Sequence, residues 1–268
     1  MTSLLGLLCG FAVIIGGALT DGDPLSSLFS ITAVIIVLGG SFAALLTQFG
    51  LGAILAALKG IFWLVKPPKA DLHKFIDQIS EWSSVARSQG TLALENVLGE
   101  VADPFQKKAL QMIIDNTSPE DLPAILGILA ENTGRMQEIP GEVWEAAGGY
   151  SPTIGVMGAV LGLIHVMMRL NHPSELGSGI ATAFVATIYG VGFANLIALP
   201  LGTRLKHLAE ELERERNVII QGFVLLGEGK PGILIRQNLQ SFLTQKSKQK
   251  PEQEEVDEEP AGASEQAA

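Results

Sequence analysis

The sequence predicts an all-α membrane protein: four transmembrane helices, a helical cytoplasmic domain inserted between the second and third, and a disordered acidic C-terminal tail. Three observations carry this expectation. Hydrophobic residues make up 47% of the 268 positions and mean hydropathy is +0.34, too apolar for a soluble chain of this size. Uncharged runs occupy Thr2–Thr20, Pro24–Leu58, Ala146–Met168 and Leu176–Thr203. Each comes close to or exceeds the roughly 20 apolar residues that one bilayer crossing needs. Charge is segregated, with seven acids and no base in residues 251–268; without that segment the net charge moves from −10 to −3.

The first run, residues 1–20, lacks a basic leading segment and a small-residue cleavage site, so it is expected to be a retained helix and not a signal peptide. Cys9 within it is alone in the chain, which excludes an intrachain disulfide and suggests a small buried hydrophobe. Residues 21–27 form a base-free link, expected on the periplasmic side, and residues 28–50 the second helix. The rest of that run, Gly50–Leu58, should continue past the membrane into a cytoplasmic helical domain over residues 51–147. The third and fourth helices are expected over residues 148–170 and 179–203, joined by a periplasmic link at 171–178. A helical extension follows over 204–246, then a tail over 247–268 whose composition has little to bury. Lys59, Lys66, Lys69 and Lys74 follow the second helix, and Arg204 and Lys206 follow the fourth. The positive-inside rule therefore places both termini in the cytoplasm.

Within the insert, Lys66-Pro67-Pro68-Lys69 cannot continue the preceding helix. Leu72, Phe75, Ile76, Ile79 and Trp82 then recur at helical spacing, with Gly90 as a stop. Asp103 and Pro104 supply an N-cap and first-turn proline for the next helix. Ser118 and Pro119 repeat that signal, with Asp121 at the acidic position of a capping box. No segment reads as a strand. So small a helical domain should lean on extensions of the membrane helices.

Enzyme chemistry has no visible carrier. The chain lacks a phosphate-binding loop, a dinucleotide fingerprint, paired cysteines and a nucleophile elbow. His73, His165, His172 and His207 are scattered, so neither a metal site nor a cofactor is expected. Basic residues form no patch interleaved with aromatics, which argues against nucleic acid. The informative signal lies within the apolar runs. Small residues (Gly155, Gly158 and Gly162, then Ala186, Gly190, Ala194 and Ala198) recur so that helices can approach closely. Thr187 and Asn195 adjoin that face and suggest a polar path. His165 is read as a hydrogen-bonding residue toward a neighbouring helix. None of the runs holds an Asp or Glu away from its ends. A proton or sodium carrier acid must then come from another chain, since such a group inside a membrane marks the ion pathway.

The segments GGYSPTIGVMGAVLGLIHVM, ATAFVATIYGVGFANLIALPL, VLGGSFAALL, ARSQGTLALE and GKPGILIRQNLQSFL resemble the MotA/PomA family of flagellar motor stators, and look nearest to its MotC-like branch. The resemblance covers nearly the whole chain before the tail. It implies a bacterial inner-membrane protein that forms a homo-pentamer surrounded by lipid. It also implies a MotB-like, single-pass, peptidoglycan-binding partner that supplies the membrane aspartate, and torque delivered to the rotor protein FliG. By the same resemblance, Pro152 and Pro200 couple ion flow to movement, and Arg87 and Glu95 face the rotor. Ser88 and Asn96 stand where sodium-type relatives carry charge. Ala159 replaces the threonine of sodium-type relatives, while Thr187 is shared by both types. A hydroxyl can replace part of a sodium hydration shell and a methyl cannot, so proton coupling is expected.

Three other readings compete. An ExbB/TolQ-like motor subunit would have three crossings. A self-contained transporter would need its own intramembrane acid or matching broken helices. A passive membrane scaffold is not excluded by the residues alone.

Overall fold

The computed structural model describes residues 2–20, 29–68, 71–171 and 173–242, and the described residues form helices joined by turns and short connections, with no strand among them. The expected link at 21–27 and the whole of the acidic tail at 247–268, with residues 243–246 before it, lie outside the described residues. Helix α1 is Thr2–Thr20 and α2 is Ile31–Val65. Helices α3 (Leu72–Gln89), α4 (Glu95–Leu98) and α5 (Pro104–Ile114) follow. Helix α6 is Leu122–Met168, α7 is Pro173–Gly192 and α8 is Leu199–Gly227, with a π segment, Phe193–Ala198, between the last two. Residues 232–242 form α9. Among the described residues three helices, Ile31–Val65, Leu122–Met168 and Gly179–Gly227, are long and apolar enough to cross a membrane. The chain divides into two compact units, Met1–Pro68 with Gly134–Glu211, and Lys69–Thr133 with Leu212–Ala268.

The helix ends follow ordinary capping chemistry, with one exception among the expected starts. Ser30 accepts from Ala33 N at 3.3 Å, Asp71 from Lys74 N at 3.1 Å and Asp103 from Phe105 N at 2.8 Å. Each satisfies an amide that the first helical turn leaves unpaired. Gly90 ends α3 with φ 89°, a conformation open to glycine. The exception is Ser118, which does not open a helix. Its backbone carbonyl accepts from Asp121 N and Leu122 N, so residues 118–121 form a turn and α6 begins at Leu122.

Helix α6 also joins what the sequence reading separates, the last helix of the insert and the third crossing. Both Pro140 and Pro152 lie inside it. Pro152 is therefore an interior proline, far from the first turn of its helix. The carbonyl that its ring excludes belongs to Gly148, and the glycine pair 148–149 leaves the backbone free to adjust. In α2 the helix is interrupted at Gly50, whose φ of 75° and ψ of 168° are non-helical. Nothing in the apolar run announces that break. Cys9 is exposed on α1 and not buried as expected.

In the first unit the helices pack through small residues. Leu45, Ile54, Ala57, Val143, Ala147 and Ala198 form one buried cluster; Ala33, Val37, Val185 and Ala186 form another. Trp144 Nε1 donates to the Ala57 carbonyl at 3.1 Å, tying α6 to α2. The second unit has an ordinary hydrophobic core. Phe75, Ile76, Ile79 and Trp82 from α3 meet Leu110 and Ile113 from α5, Leu122 and Leu126 from α6, and Phe223 from α8. Ile235 and Leu239 of α9 close it. Ser83 Oγ donates to the Lys230 carbonyl at 2.6 Å, and Arg236 pairs with Asp77 at 2.5 Å, which hold α9 on α3.

Candidate functional site

The antiparallel pair α6 and α7 is set by glycine contacts that define its register. A Cβ on Gly155 would meet the Ala186 carbonyl oxygen at 2.8 Å and Gly190 Cα at 3.1 Å. One on Gly162 would meet Ala183 Cβ at 2.9 Å, and one on Gly158 would meet Ala186 Cβ at 3.1 Å. The small residues are thus spent on close packing, as expected where lipid gives no hydrophobic drive to associate. They form the seam, and the polar residues border it.

That register places Ala159 and Thr187, each next to a seam contact, at the same level of the pair, both half-buried. The Thr187 hydroxyl differs from two other hydroxyls in the unit. Ser151 Oγ and Thr47 Oγ1 donate to carbonyls four residues back, at 2.7 and 3.0 Å. The Thr187 hydroxyl has no partner among the described residues, so its hydrogen-bonding capacity is unspent. Asn195 is exposed and donates to the Val191 carbonyl at 2.9 Å, inside the π segment. Eight α-helical residues overshoot two turns by about 80°. The wider π turn takes up part of that overshoot, bringing Thr187, Asn195 and Thr203 toward one face.

Pro200 follows the π segment after one residue, Leu199. Its ring excludes a bond to the carbonyl of Leu196, and the Leu199 amide reaches back to Ala194 instead. Below it, Asn195, Leu199, Thr203, Arg204 and His207 border an open groove. His207 lies 3.4 Å from Glu210. The sequence reading missed Thr203 and His207, although their spacing from Asn195 by eight and twelve residues was visible. It also missed the ion pair of Lys206 with Glu145, which joins α8 to α6 just past the apolar runs. The hydrogen bond to Glu145 holds the Lys206 ammonium above its ordinary range against a burial effect, with added attraction from Glu145, Glu142 and Glu138. His165 is exposed and makes no hydrogen bond among the described residues.

Asp and Glu are absent from the apolar stretches of all these helices. No group of three His, Cys, Asp or Glu residues that could hold a metal occurs among the described residues. In the second unit, Arg87 in the last turn of α3 and Glu95 at the start of α4 flank the Gly90 turn. Both are exposed and carry no ion pair among the described residues, leaving their charges available.

Comparison with known proteins agrees with this arrangement. Residues 98–218 match the MotA/TolQ/ExbB proton channel family. A motility protein A from Helicobacter pylori (strain ATCC 700392 / 26695) is 32% identical over 231 residues, spanning 86% of this chain and 90% of that protein. The solved structure of C. jejuni MotAB matches with a TM-score of 0.80 and 28% identity, over 90% of this chain and 94% of that one. The flagellar MotAB stator complex from Bacillus subtilis matches with a TM-score of 0.79 and 30% identity, over 90% and 96%. This chain belongs to the MotA/TolQ/ExbB proton channel family, among its motility protein A members.

Proposed function

We propose that the chain is a stator subunit of the bacterial flagellar motor, a multi-pass inner-membrane protein that conducts protons only together with a MotB-like partner. The observation that carries this reading is the match to MotAB complexes over 90% of the chain, joined to apolar helices that lack any carboxylate. The partner's single helix supplies the missing aspartate, and its periplasmic part grips peptidoglycan. Five copies of this chain surround two copies of that partner.

In this reading α1 is a fourth crossing, since its 19 residues span about 28 Å. Both termini and the helical insert lie in the cytoplasm, on the side of the lysines after α2. Thr187 and Asn195 line the proton path, and Ala159, lacking a hydroxyl opposite Thr187, disfavours sodium. Each proton crossing 100 mV releases ~2.3 kcal/mol. Pro152 and Pro200 transmit that step to the cytoplasmic helices, where Arg87 and Glu95 meet FliG. An ExbB/TolQ-like role is not favoured, because the full-length matches are to motility proteins. The test is deletion of the gene followed by complementation, with purification of the complex and a count of its subunits. Restored swimming and a five-to-two complex support the reading; normal swimming in the deletion strain, with no second stator set to account for it, overturns it.

A further inference from the structure

Beside the Gly50 interruption, the first unit holds a cavity of about 170 Å³ between α2 and α6. Leu45 and Ile54, on either side of the break, border it together with Ala57, Trp144 and Phe193. Its lining offers one unspent polar atom. Ser41 borders the cavity, is 3% exposed, and its Oγ has no hydrogen-bond partner. Ser80 and Ser151 solve the same problem by donating to the carbonyl four residues back. For Ser41 that carbonyl belongs to Val37, inside the π segment Ile35–Gly39, and the hydroxyl makes no such bond there. The Trp144 indole is likewise committed, to the Ala57 carbonyl.

We propose that this cavity is a binding site for a small, neutral, lipophilic molecule bearing one hydroxyl, of the phenol type. The volume resembles the roughly 150 Å³ apolar cavity that stays dry and takes benzene. Water is a poor occupant, because it needs two to four polar partners and finds one here. A hydrocarbon fills the walls but leaves the buried Ser41 hydroxyl unpaired, which carries a cost of its own. A phenol meets both demands: its ring packs against Phe193 and the aliphatic walls while its hydroxyl pairs with Ser41. Entry is from the membrane. Leu38, Phe42 and Leu58 border the cavity and are exposed on an apolar helix, so the medium at the mouth is lipid. The inference requires that α2 lies in a bilayer; it does not require the motor function.

Fluorine NMR on the full chain in lipid nanodiscs tests it, with 4-fluorophenol and fluorobenzene as probes and empty nanodiscs as the partition baseline. Both probes should bind saturably above that baseline, 4-fluorophenol at least threefold tighter. Ser41→Ala should erase the preference while keeping fluorobenzene binding. Ala57→Val, a small addition to the cavity wall, should weaken both probes by threefold or more at an unchanged melting temperature. If Ala57→Val does not fold, the Ser41→Ala comparison decides alone. Partition without saturation, or an unchanged preference in Ser41→Ala, overturns the proposal. So does loss of binding in the assembled complex because a neighbouring copy fills the cavity.

Discussion

Replacing Gly190 with alanine puts a methyl group against the Ser151 carbonyl oxygen and 3.0 Å from Gly155 Cα. Both neighbours are backbone atoms of α6, so neither can rotate away. The helices must separate, and overpacking of this kind costs typically ~1–3 kcal/mol. Gly192→Ala, two residues on, is the matched control, because nothing lies within 4 Å of its added Cβ. The helix-propensity gain of up to ~1 kcal/mol is common to both changes and cancels in the comparison. The two variants should therefore differ by about 1–3 kcal/mol, or roughly 2–12 °C in melting midpoint. Thermal unfolding of the purified chain in detergent, followed by intrinsic fluorescence, measures that gap. Equal midpoints, or a Gly190→Ala variant more stable than Gly192→Ala, would refute the glycine seam as the determinant of the α6–α7 approach.

Three other changes bear on function. Ala159→Thr should leave abundance and folding intact, since the site is half-buried and the added group is one hydroxyl; swimming in sodium-free and sodium-rich media reports whether it shifts ion preference. Loss of membrane assembly in that variant would make Ala159 a packing residue. Pro200→Ala should impair motility several-fold at normal membrane levels, because it restores a regular helix after the π segment; reduced abundance would mark the proline as structural. Arg87→Asp should cost about 1 kcal/mol, because the exposed, unpaired side chain stands in the last turn of α3, where the helix dipole favours a cation, yet leave the chain folded and reduce swimming, with recovery sought in charge-reversed rotor variants.

Much of this architecture was legible locally. Gly90 and Asp103 act within a few residues, so their roles as stop and cap follow from sequence alone, and Asp71 offered the same local signal unread. The apolar runs and the missing carboxylate were equally direct. What escaped was set by partners distant in sequence. Pro140 does not end α6, and its ring packs against Gly60, where a Cβ would come within 2.9 Å. The interruption at Gly50 and the two π segments leave no mark in hydropathy, because they change backbone bonding without changing residue type. At the candidate path, the residue types at Thr187 and Asn195 stood out, but their different states did not. One hydroxyl is unspent, and the other side chain is committed to Val191.

The central claim is that this chain is one wall of a proton path whose carrier acid belongs to another protein. Proton uptake into vesicles driven by an imposed potential tests it most directly, comparing the chain alone, the chain with its one-helix partner, and the chain with a partner whose membrane aspartate is changed to asparagine. The account predicts uptake only in the second case; uptake by the chain alone would contradict it.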